Sequence, residues 1–392
     1  MRLLLTQAGP YSAYWGGASK SNRLLLEALA ERHHDCTVVA PAGEPLGAVR
    51  RVTDRHVESF HKGVRIFAVH ERSQLHACLR DRIEQCDPAW VLVSSEDAGQ
   101  ALLQVAVKTA PGRIVYLART TMALPFGPGA AVPSARGTML LRRATSIIVK
   151  TDQLKEYCRR WGEMDAAVLP MSLIDVPANP RAPCFDSGYI TMLNPCAVKG
   201  ISIFVELAKR LPSLQFAAVP AWGTTDADRA QLQALPNVRL LPPDPDIDTI
   251  FAQTRILLVP SLWAETGARC VLEAHVRGIP VLASDVGGMS EVMAGMDYLL
   301  PVTPIASYLS RLDERSLPVP EVPAQDVELW LTALRAVATD RLRFEDLSRS
   351  ARIAARGYLA TFNSVAPIER HLETLRAERA AIAEGRVQQS WH

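Results

Sequence analysis

Two glutamates, Glu265 and Glu273, occupy the segment of the chain whose residue types best suit the binding of a sugar phosphate. Glu265 lies in a loop after an apolar run that ends near Pro260, and Glu273 follows inside the helical pattern ARCVLEAHVRG. A carboxylate at a cleft can accept hydrogen bonds from sugar hydroxyls, and another can bind the two hydroxyls of a ribose. Because isolated glutamates are usually solvated surface charges, the neighbouring residues decide between these interpretations.

Glycines and a proline around the two glutamates predict where helices begin and end. A loop that contains Gly267 leads into the first helix, which Gly278 and Pro280 end. Gly287 and Gly288 then turn into a second helix. The N-terminus of each helix has free backbone N–H groups and a positive dipole end. Two such ends at one edge of a sheet predict an anion site that suits a diphosphate.

A lysine stands where it could neutralise the same diphosphate. Lys199 opens a helix shortly after an apolar run that ends at Asn194 and Pro195. An ammonium at a helix start beside a strand end can bind a phosphate, whereas the alternative for such a residue is a side chain that faces only solvent.

Two loops in the first half of the chain also follow predicted strands. Gly16 and Gly17 precede a helix that begins with Ser19 and Lys20, where glycines either bring the backbone close to a ligand or form a tight turn. Arg119 lies in a loop rich in Pro and Gly, which is either part of a cleft or an ordinary surface loop. Its guanidinium stays protonated and cannot act as a base, but it could bind a phosphate or an anionic acceptor.

Residues 260–295 resemble the signature of the family 4 glycosyltransferases, which are retaining enzymes with the GT-B fold. That signature is a Glu, seven residues, a second Glu, a Gly-x-Pro, a strand, and a Gly-Gly turn followed by a Glu. The matching residues of this chain are Glu265, Glu273, Gly278, Pro280, Gly287, Gly288 and Glu291. The resemblance implies that Glu265 contacts the donor sugar and that Glu273 binds the ribose. It also implies that the backbone of the three residues after Glu265 lies against sugar and phosphate.

The resemblance gives roles to the lysine and glycine motifs as well. It implies that Lys199 neutralises the donor diphosphate, and that the loop of Gly16 and Gly17 meets donor phosphate and acceptor across a cleft. The predicted catalytic residues are Glu265, Lys199 and Arg119. The predicted donor-binding residues are Gly16, Gly17, Asn194, Thr266, Gly267, Ala268, Arg269, Glu273, Gly287 and Gly288.

This chain departs from the family pattern at two places. Many members have a Gly-Arg where this chain has Leu193 and Asn194, so one expected cation is missing. Arg269 is a candidate to replace that cation. Many members also have a His near the position of Arg119, and that His would touch the donor sugar.

The elements that must position these residues are short apolar runs alternating with helical stretches, in two similar halves. The runs begin at Arg2, Cys36, Val64, Ala89, Arg113 and Ser146 in the first half, and at Tyr189, Leu214, Val238, Arg255, Pro280 and Asp297 in the second. Apolar residues on both faces of such strands indicate parallel sheets covered by helices. Ligands bind at the carboxyl ends of parallel strands, where most of the candidate residues lie.

We therefore expect an α/β protein with two doubly wound, Rossmann-like domains that face a cleft, in the GT-B arrangement that the resemblance implies. Residues 1–173 form the predicted acceptor domain, and residues 189–355 form the predicted nucleotide-sugar donor domain. Two Pro-rich stretches, 174–188 and 301–323, are a predicted linker and a predicted loop. The resemblance implies a last helix, about 364–392, that crosses back to the first domain. The predicted packing residues near this end are Phe344, Leu347, Ile353, Tyr358 and Leu359.

Composition excludes several classes of protein. The 392 residues are 48% hydrophobic and carry a net charge of +2, which gives no electrostatic case for nucleic-acid binding. No apolar run is long enough for a transmembrane segment. Seven cysteines without a C-x-x-C pattern indicate reduced thiols and a cytoplasmic protein rather than disulfides or structural zinc.

Three Asp-x-Asp triplets bear on whether the protein uses a metal; their members are Asp226, Asp228, Asp244, Asp246 and Asp248. Such a pair can hold a divalent cation on a diphosphate, but aspartates are also common at turns and helix N-caps, which is the interpretation we favour. Because a lysine and two helix N-termini already cover the diphosphate, we predict no metal and no cofactor.

The sequence therefore predicts a retaining glycosyltransferase that moves a sugar from a nucleotide-sugar donor to a small-molecule, lipid or glycan acceptor. Two alternatives stay open. A nucleotide-sugar epimerase has the same fold and would turn over without an acceptor. A catalytically weak or inactive nucleotide-sugar binding protein would fit the departures at Arg119 and Asn194.

Overall fold

Two large β-sheets organise the computed structural model, which describes residues 1–12, 16–170, 173–178, 183–315 and 317–389. Within these ranges the strands of the first sheet are, in chain order, β1 (Arg2–Thr6), β2 (Asp35–Pro41), β3 (Ala48–Val52), β4 (His56–His61), β5 (Val64–Val69), β6 (Trp90–Ser94), β7 (Ile114–Leu117), β8 (Ser146–Val149) and β9 (Ala167–Val168). Their order in the sheet is β3-β4-β5-β2-β1-β6-β7-β8-β9. All neighbouring pairs from β5 to β9 are parallel, as the apolar runs predicted.

The central strands of this sheet are buried on both faces. Along β1, Leu4 packs into one hydrophobic cluster, whereas Leu3 and Leu5 pack into another. Successive side chains of a strand point to opposite faces, so each face of the sheet has its own core. The helices that cover it are α1 (Gly17–Glu31), α2 (Arg72–Cys86), α3 (Ala101–Thr109), α4 (Ala135–Leu141) and α5 (Asp152–Gly162).

An antiparallel extension at one edge of the first sheet was not predicted. β3 pairs with β4, and β4 with β5, in antiparallel register. The sequence of β3, AVRRV, is exposed along its whole length, so it lacks the apolar run by which buried strands are recognised. An edge strand with charged side chains is a common way to prevent pairing with other chains.

The second sheet is entirely parallel. Its strands are β10 (Tyr189–Leu193), β11 (Phe216–Val219), β12 (Val238–Leu240), β13 (Thr254–Val259), β14 (Val281–Ser284) and β15 (Leu299–Leu300), in the order β12-β11-β10-β13-β14-β15. Its helices are α6 (Ile201–Arg210), α7 (Asp226–Gln233), α8 (Ile247–Phe251), α9 (Arg269–His275) and α10 (Met289–Met293). The two sheets with their helices confirm the predicted doubly wound α/β architecture.

The stretch 301–323 is not the plain loop that its prolines predicted. It contains two antiparallel strands, β16 (Tyr308–Leu312) and β17 (Pro318–Pro320). Proline is compatible with such an isolated two-stranded ribbon because an edge strand needs few N–H donors. Of the predicted linker, residues 179–182 lie outside the described residues.

The chain ends with three helices, α11 (Glu328–Thr339), α12 (Arg341–Phe362) and α13 (Ala366–Gln389). α13 returns to the first sheet, as predicted: Ile368 and Leu372 join the core beneath Trp90, whose Nε1 donates to the Leu372 carbonyl at 3.0 Å. Residues 390–392 of the predicted last helix lie outside the described residues. The packing prediction for Ile353 is wrong, since it is 71% exposed on the side of α12 opposite Ala351 and Ala355. In the described ranges, no helix is long and apolar enough to cross a membrane.

Candidate active site

The loops that follow β10 and β13 pack together and bring Lys199 to the carboxyl edge of the second sheet. Lys199 ends a short 3-10 turn, and Gly200 follows with a φ of +80°. A Cβ on Gly200 would lie 1.8 Å from the Pro260 carbonyl oxygen, so only glycine permits this approach. The Leu262 amide donates to the Val198 carbonyl at 2.9 Å and fixes the two loops to each other.

This packing places Lys199 directly against Glu265. Lys199 Nζ donates to Glu265 Oε1 at 2.5 Å, and the Ser261 hydroxyl and Trp263 Nε1 donate to the same oxygen at 2.5 and 2.8 Å. Lys199 Nζ also lies 4.6 Å from the centre of the Trp263 ring. Within the described ranges no protein donor contacts Glu265 Oε2, so this oxygen is the one that can accept from a ligand.

Both members of this pair are charged. Burial opposes the positive charge of Lys199, but the adjacent Glu265 carboxylate outweighs it and raises the Lys199 pKa. Burial likewise opposes the negative charge of Glu265, but Lys199 and the two neutral donors outweigh it and lower the Glu265 pKa. The site therefore holds a fixed ammonium and a fixed carboxylate side by side.

Gly287 and Gly288 hold the Glu265 loop in place. A Cβ on Gly287, whose φ is +60°, would lie 2.3 Å from the Glu265 carbonyl oxygen. The Gly288 amide donates to that oxygen at 2.7 Å. The expectation of a free N–H group at Gly288 is therefore wrong, because the backbone of Glu265 already uses it. The two helices that follow these loops are also short, with seven residues in α9 and five in α10.

Glu273 is held from both halves of the molecule. Its Oε1 accepts from Lys20 Nζ at 3.0 Å and from Arg269 Nε at 2.8 Å. Arg269 also donates through Nη2 to the Leu173 carbonyl at 2.8 Å. Arg269 thus joins Glu273 to the chain between the sheets.

A cleft of about 400 Å³ separates the two halves next to Glu273. Its residues from the first half include Lys20, Arg23 and Lys62, and its residues from the second half include Glu273 and Asp246. The predicted cleft between the two sheets is therefore present, and Glu273 lies on its wall.

Arg119 lies on the opposite side of the interface, just after β7. Its Nη2 donates to Asn22 Oδ1 at 2.5 Å, and its amide donates to Ser95 Oγ at 2.8 Å. Its carbonyl accepts from Thr266 Oγ1 of the second half at 2.5 Å. Arg119 is only 8% exposed, and among the described residues its Nε has no hydrogen-bond partner. Burial lowers the pKa of this guanidinium.

The other predicted donor-binding residues lie at the same strand ends. Asn194 has a φ of +55°, its Oδ1 accepts from the Gly223 amide at 2.9 Å, and its buried Nδ2 has no partner in the described part of the chain. Gly267 has a φ of +94° and lies one residue before Ala268, the N-cap of α9. Gly16, the N-cap of α1, faces the second half: a Cβ there would lie 4.0 Å from the Trp222 ring.

Gly17 begins α1 directly after Gly16. A Cβ added at Gly17 would have no described atom within 4 Å. The loop of Gly16 and Gly17 therefore lies at the face of the first half that meets the second. Its small residues keep this face uncrowded.

Three residues at this interface were missed by the sequence analysis or given another role. Lys150 directly follows β8, and its Nζ lies 3.4 Å from the Gly267 carbonyl oxygen. Glu96 follows β6, and both of its carboxylate oxygens are buried. Glu291 belongs to the family signature, but here its two oxygens accept from the amides of Asp152 and Gln153 at the start of α5, both at 3.1 Å. The signal for Lys150 was a charged residue at the carboxyl end of an apolar strand.

The Asp-x-Asp triplets cap helices. Asp228 forms a reciprocal capping box with Thr225 at the start of α7, and Asp246 is the N-cap of α8. Asp248 accepts from Arg277 Nε at 2.5 Å. These contacts confirm the capping interpretation. Across the described ranges, no group of three or more His, Cys, Asp or Glu side chains is arranged to hold a metal ion.

Comparison with known proteins gives the class of the chain. Residues 186–312, about a third of the chain, match the family model described as Glycosyl transferases group 1. No curated protein matches the sequence. Among solved structures, a sucrose-phosphate synthase from Thermosynechococcus elongatus is 15% identical with a TM-score of 0.67 over 99% of both chains. HepE from Anabaena is 16% identical with a TM-score of 0.66, over 96% of this chain and 100% of that chain.

A glycosyltransferase from Rickettsia africae is similar as well, with 12% identity and a TM-score of 0.59 over 97% of both chains. These likenesses show the GT-B fold, and the chain is an enzyme of the glycosyltransferase class. More narrowly, its residues 186–312 are similar to a group 1 glycosyltransferase domain.

Proposed function

We propose that the protein is a family 4 glycosyltransferase that moves a sugar from a nucleotide-sugar donor to an acceptor with retention of anomeric configuration. The observation that carries this proposal is the contact between Lys199 and Glu265 at the carboxyl edge of the second sheet. A fixed cation beside a fixed carboxylate suits the two parts of a nucleotide sugar. The ammonium attracts the diphosphate, and Glu265 Oε2 accepts from a sugar hydroxyl.

The nucleotide is proposed to bind in the cleft beside Glu273, whose carboxylate would accept from the ribose hydroxyls. The solved HepE structure is a complex with UDP-glucose, and that of starch synthase IV from Arabidopsis thaliana is bound to ADP and acarbose. Proteins of similar fold therefore take nucleoside diphosphates with different bases, and the base used here is a matter for experiment.

In the proposed reaction, the bond between the anomeric carbon of the donor and the diphosphate oxygen breaks. The oxygen of an acceptor hydroxyl bonds to the same face of that carbon, and its proton passes to the departing phosphate oxygen. Lys199 stabilises the negative charge that develops on the leaving diphosphate. Glu265 holds Lys199 in place through Oε1 while Oε2 positions the sugar.

We assign donor binding to residues 189–355, and acceptor binding to residues 1–173 together with the last helix, about 364–392. No metal or cofactor is needed in this scheme, because Lys199 supplies the positive charge that a cation would bring. The seven cysteines are all unpaired thiols, which supports a reducing, cytoplasmic setting.

The test is a panel of nucleotide sugars, measured by calorimetry and by release of free nucleoside diphosphate, with and without EDTA. We expect one donor to bind selectively and to be hydrolysed slowly at a rate that EDTA does not change. Binding without release, across a range of acceptors, would favour the inactive binding protein, and conversion of the donor sugar without an acceptor would favour an epimerase. Absence of binding by every donor would contradict the proposal.

A single substitution tests the ribose assignment. Glu273→Ala should weaken nucleotide affinity by about 1–3 kcal/mol, the usual cost of losing a charged hydrogen-bond partner. The control is Glu328→Ala on α11, which removes an exposed carboxylate that pairs with Arg210 on the outside of the same half. Unchanged affinity in Glu273→Ala would remove Glu273 from the nucleotide site.

A further inference from the structure

Two cations at the interface between the halves have no carboxylate partner. Lys20 and Arg269 pair with Glu273, and Lys199 pairs with Glu265. By contrast, neither Arg119 nor Lys150 forms an ion pair with any described residue. Both follow adjacent parallel strands, β7 and β8, at their carboxyl ends. The backbone carbonyl of Arg119 and the Nζ of Lys150 contact the loop that begins at Glu265.

Arg119 is built into this position. Its contact to Asn22 fixes one end of the side chain, and its contact to Ser95 fixes the backbone. Asn22 is itself held, because its Nδ2 donates to Gln7 and Ser94 at 2.9 and 2.8 Å. Another of its donors, Nε, is buried without a described partner. A buried charged donor without an acceptor is costly, so such groups are usually matched by a ligand or a counter-ion.

Lys150 faces the same space from the next strand. Its Nζ contacts only a carbonyl oxygen, that of Gly267 at 3.4 Å. Burial, together with the charges of Arg119 and Arg269, lowers the Lys150 pKa to about 7, although Glu265 and Glu273 act in the opposite direction. Burial is the largest cause of this shift, so a bound anion would favour the charged form of Lys150.

The charge of Glu96 acts on Arg119, but the two side chains form no ion pair within the described ranges. Its two oxygens accept from no described donor by hydrogen-bond geometry, and burial raises its pKa, which favours the neutral acid. Arg119 and Lys150 are therefore two cations without an ion-pair partner in the described part of the chain.

We infer that Arg119 and Lys150 form a binding site for one anionic group, a carboxylate or a phosphate, on a substrate of the transferase. This inference rests on the proposed function, because it places that group beside the backbone of Thr266 and Gly267, where the donor sugar is proposed to lie. The anionic group belongs either to the sugar of the donor or to the acceptor. With the donor diphosphate at Lys199, a donor sugar and an acceptor that carry only hydroxyl groups would leave Arg119 and Lys150 without a counter-charge.

Two arms of one binding experiment distinguish these sources. The donor arm compares the glucosyl and glucuronyl esters of the nucleoside diphosphate that binds in the panel; they differ by a carboxylate at C6. The acceptor arm adds sulfate to protein saturated with that nucleoside diphosphate. We expect either a preference of about tenfold for the glucuronyl ester or saturable sulfate binding. A tenfold preference corresponds to the free energy of one charged hydrogen bond.

Three variants connect the result to Lys150. Lys150→Met should abolish the preference or the sulfate binding, whereas Lys155→Met, which removes an exposed lysine of α5, should not. Lys150→Arg should keep anion binding but change its pH dependence. Since anion binding favours the charged form of Lys150, wild-type affinity should fall as the pH rises above about 7, and Lys150→Arg should show a flat profile because arginine stays protonated.

Equal affinity for the two esters together with no saturable sulfate binding would overturn the inference. So would an anion preference that Lys150→Met leaves unchanged. Absence of any nucleotide binding would instead contradict the proposed function, and sulfate titration of the nucleotide-free protein, with and without Lys150→Met, would then still test the anion site.

Discussion

Lys20 of the first half donates to Glu273 of the second half at 3.0 Å, which joins two residues 253 positions apart in the chain. The side chains are only 17% and 8% exposed, so this ion pair is largely removed from water. Arg269 shares the same carboxylate oxygen. The residue that we propose as the ribose ligand is therefore also a point of attachment between the two halves.

The first prediction concerns the energy of this attachment. Lys20→Met and Glu273→Gln should each lower the free energy of unfolding by about 1–3 kcal/mol. Lys20→Met removes one of the two cations that pair with the buried Glu273 carboxylate, and Glu273→Gln removes the counter-charge of Lys20 and Arg269. The double variant should lose about 1–2 kcal/mol less than the sum of the two, which a double-mutant cycle in urea denaturation measures. The exposed pair of Lys155 and Asp165 is the control, with an expected coupling below about 1 kcal/mol. A coupling no larger than the control would mean that the pair does not join the halves energetically.

The second prediction concerns Lys199. Lys199→Ala should reduce donor turnover about 100-fold or more, since it removes the cation proposed to stabilise the leaving diphosphate. It also removes the charge that lowers the Glu265 pKa, so any residual activity should be lost at a higher pH on the acid side than in the wild type. Lys199→Arg should recover part of the rate. Full activity in Lys199→Ala, measured as release of nucleoside diphosphate, would exclude Lys199 from the mechanism.

The third prediction uses two glycines of the second half as a matched pair. Both Gly287 and Gly295 have positive φ. A Cβ added at Gly287 would lie 2.3 Å from the Glu265 carbonyl oxygen, whereas a Cβ added at Gly295 would have no described atom within 4 Å. Gly295→Ala should cost about 1–2 kcal/mol from backbone strain alone. Gly287→Ala should cost about 3 kcal/mol or more in thermal unfolding and should also lower turnover, because Glu265 must move. Equal effects would show that the Glu265 loop adjusts freely.

Strand ends were the part of the site that could be predicted from the sequence. Apolar runs such as that before Asn194 are recognisable because a strand buried on both faces is apolar at every position. Charged residues and glycines that directly follow such runs must lie at one edge of a parallel sheet, which is how Lys199 and Glu265 could both be assigned to that edge in advance. Lys150 has the same signal, yet a single lysine after a strand does not show what faces it.

Contacts between the halves could not be predicted in the same way. They depend on how two separate sheets are placed, which no local pattern records. Glu291 fits the family signature but contacts α5 of the other half. The antiparallel strands β3 and β16 were missed for another reason: they are exposed and do not have the apolar periodicity on which strand prediction depends.

The last prediction concerns His275, which lies on α9 two residues after Glu273. It is 1% exposed, and neither ring nitrogen has a hydrogen-bond partner among the described residues. Burial lowers its pKa from 6.5 to about 4, so the folded protein requires the neutral ring while the unfolded chain binds a proton readily below pH 6.5. The contribution of this residue to stability is therefore complete above about pH 6.5 and is lost as the pH falls toward 4.

From pH 7 to pH 5 the free energy of unfolding should fall by about 2 kcal/mol because of His275. His275→Leu, which keeps an apolar side chain in this buried position, should remove that part of the pH dependence. His70→Leu, at an exposed position, should keep it. Urea denaturation of the three proteins at both pH values measures the difference. An identical pH dependence in the wild type and His275→Leu would mean that the buried imidazole is protonated in the folded protein, and that α9 tolerates a charge beside the proposed nucleotide site.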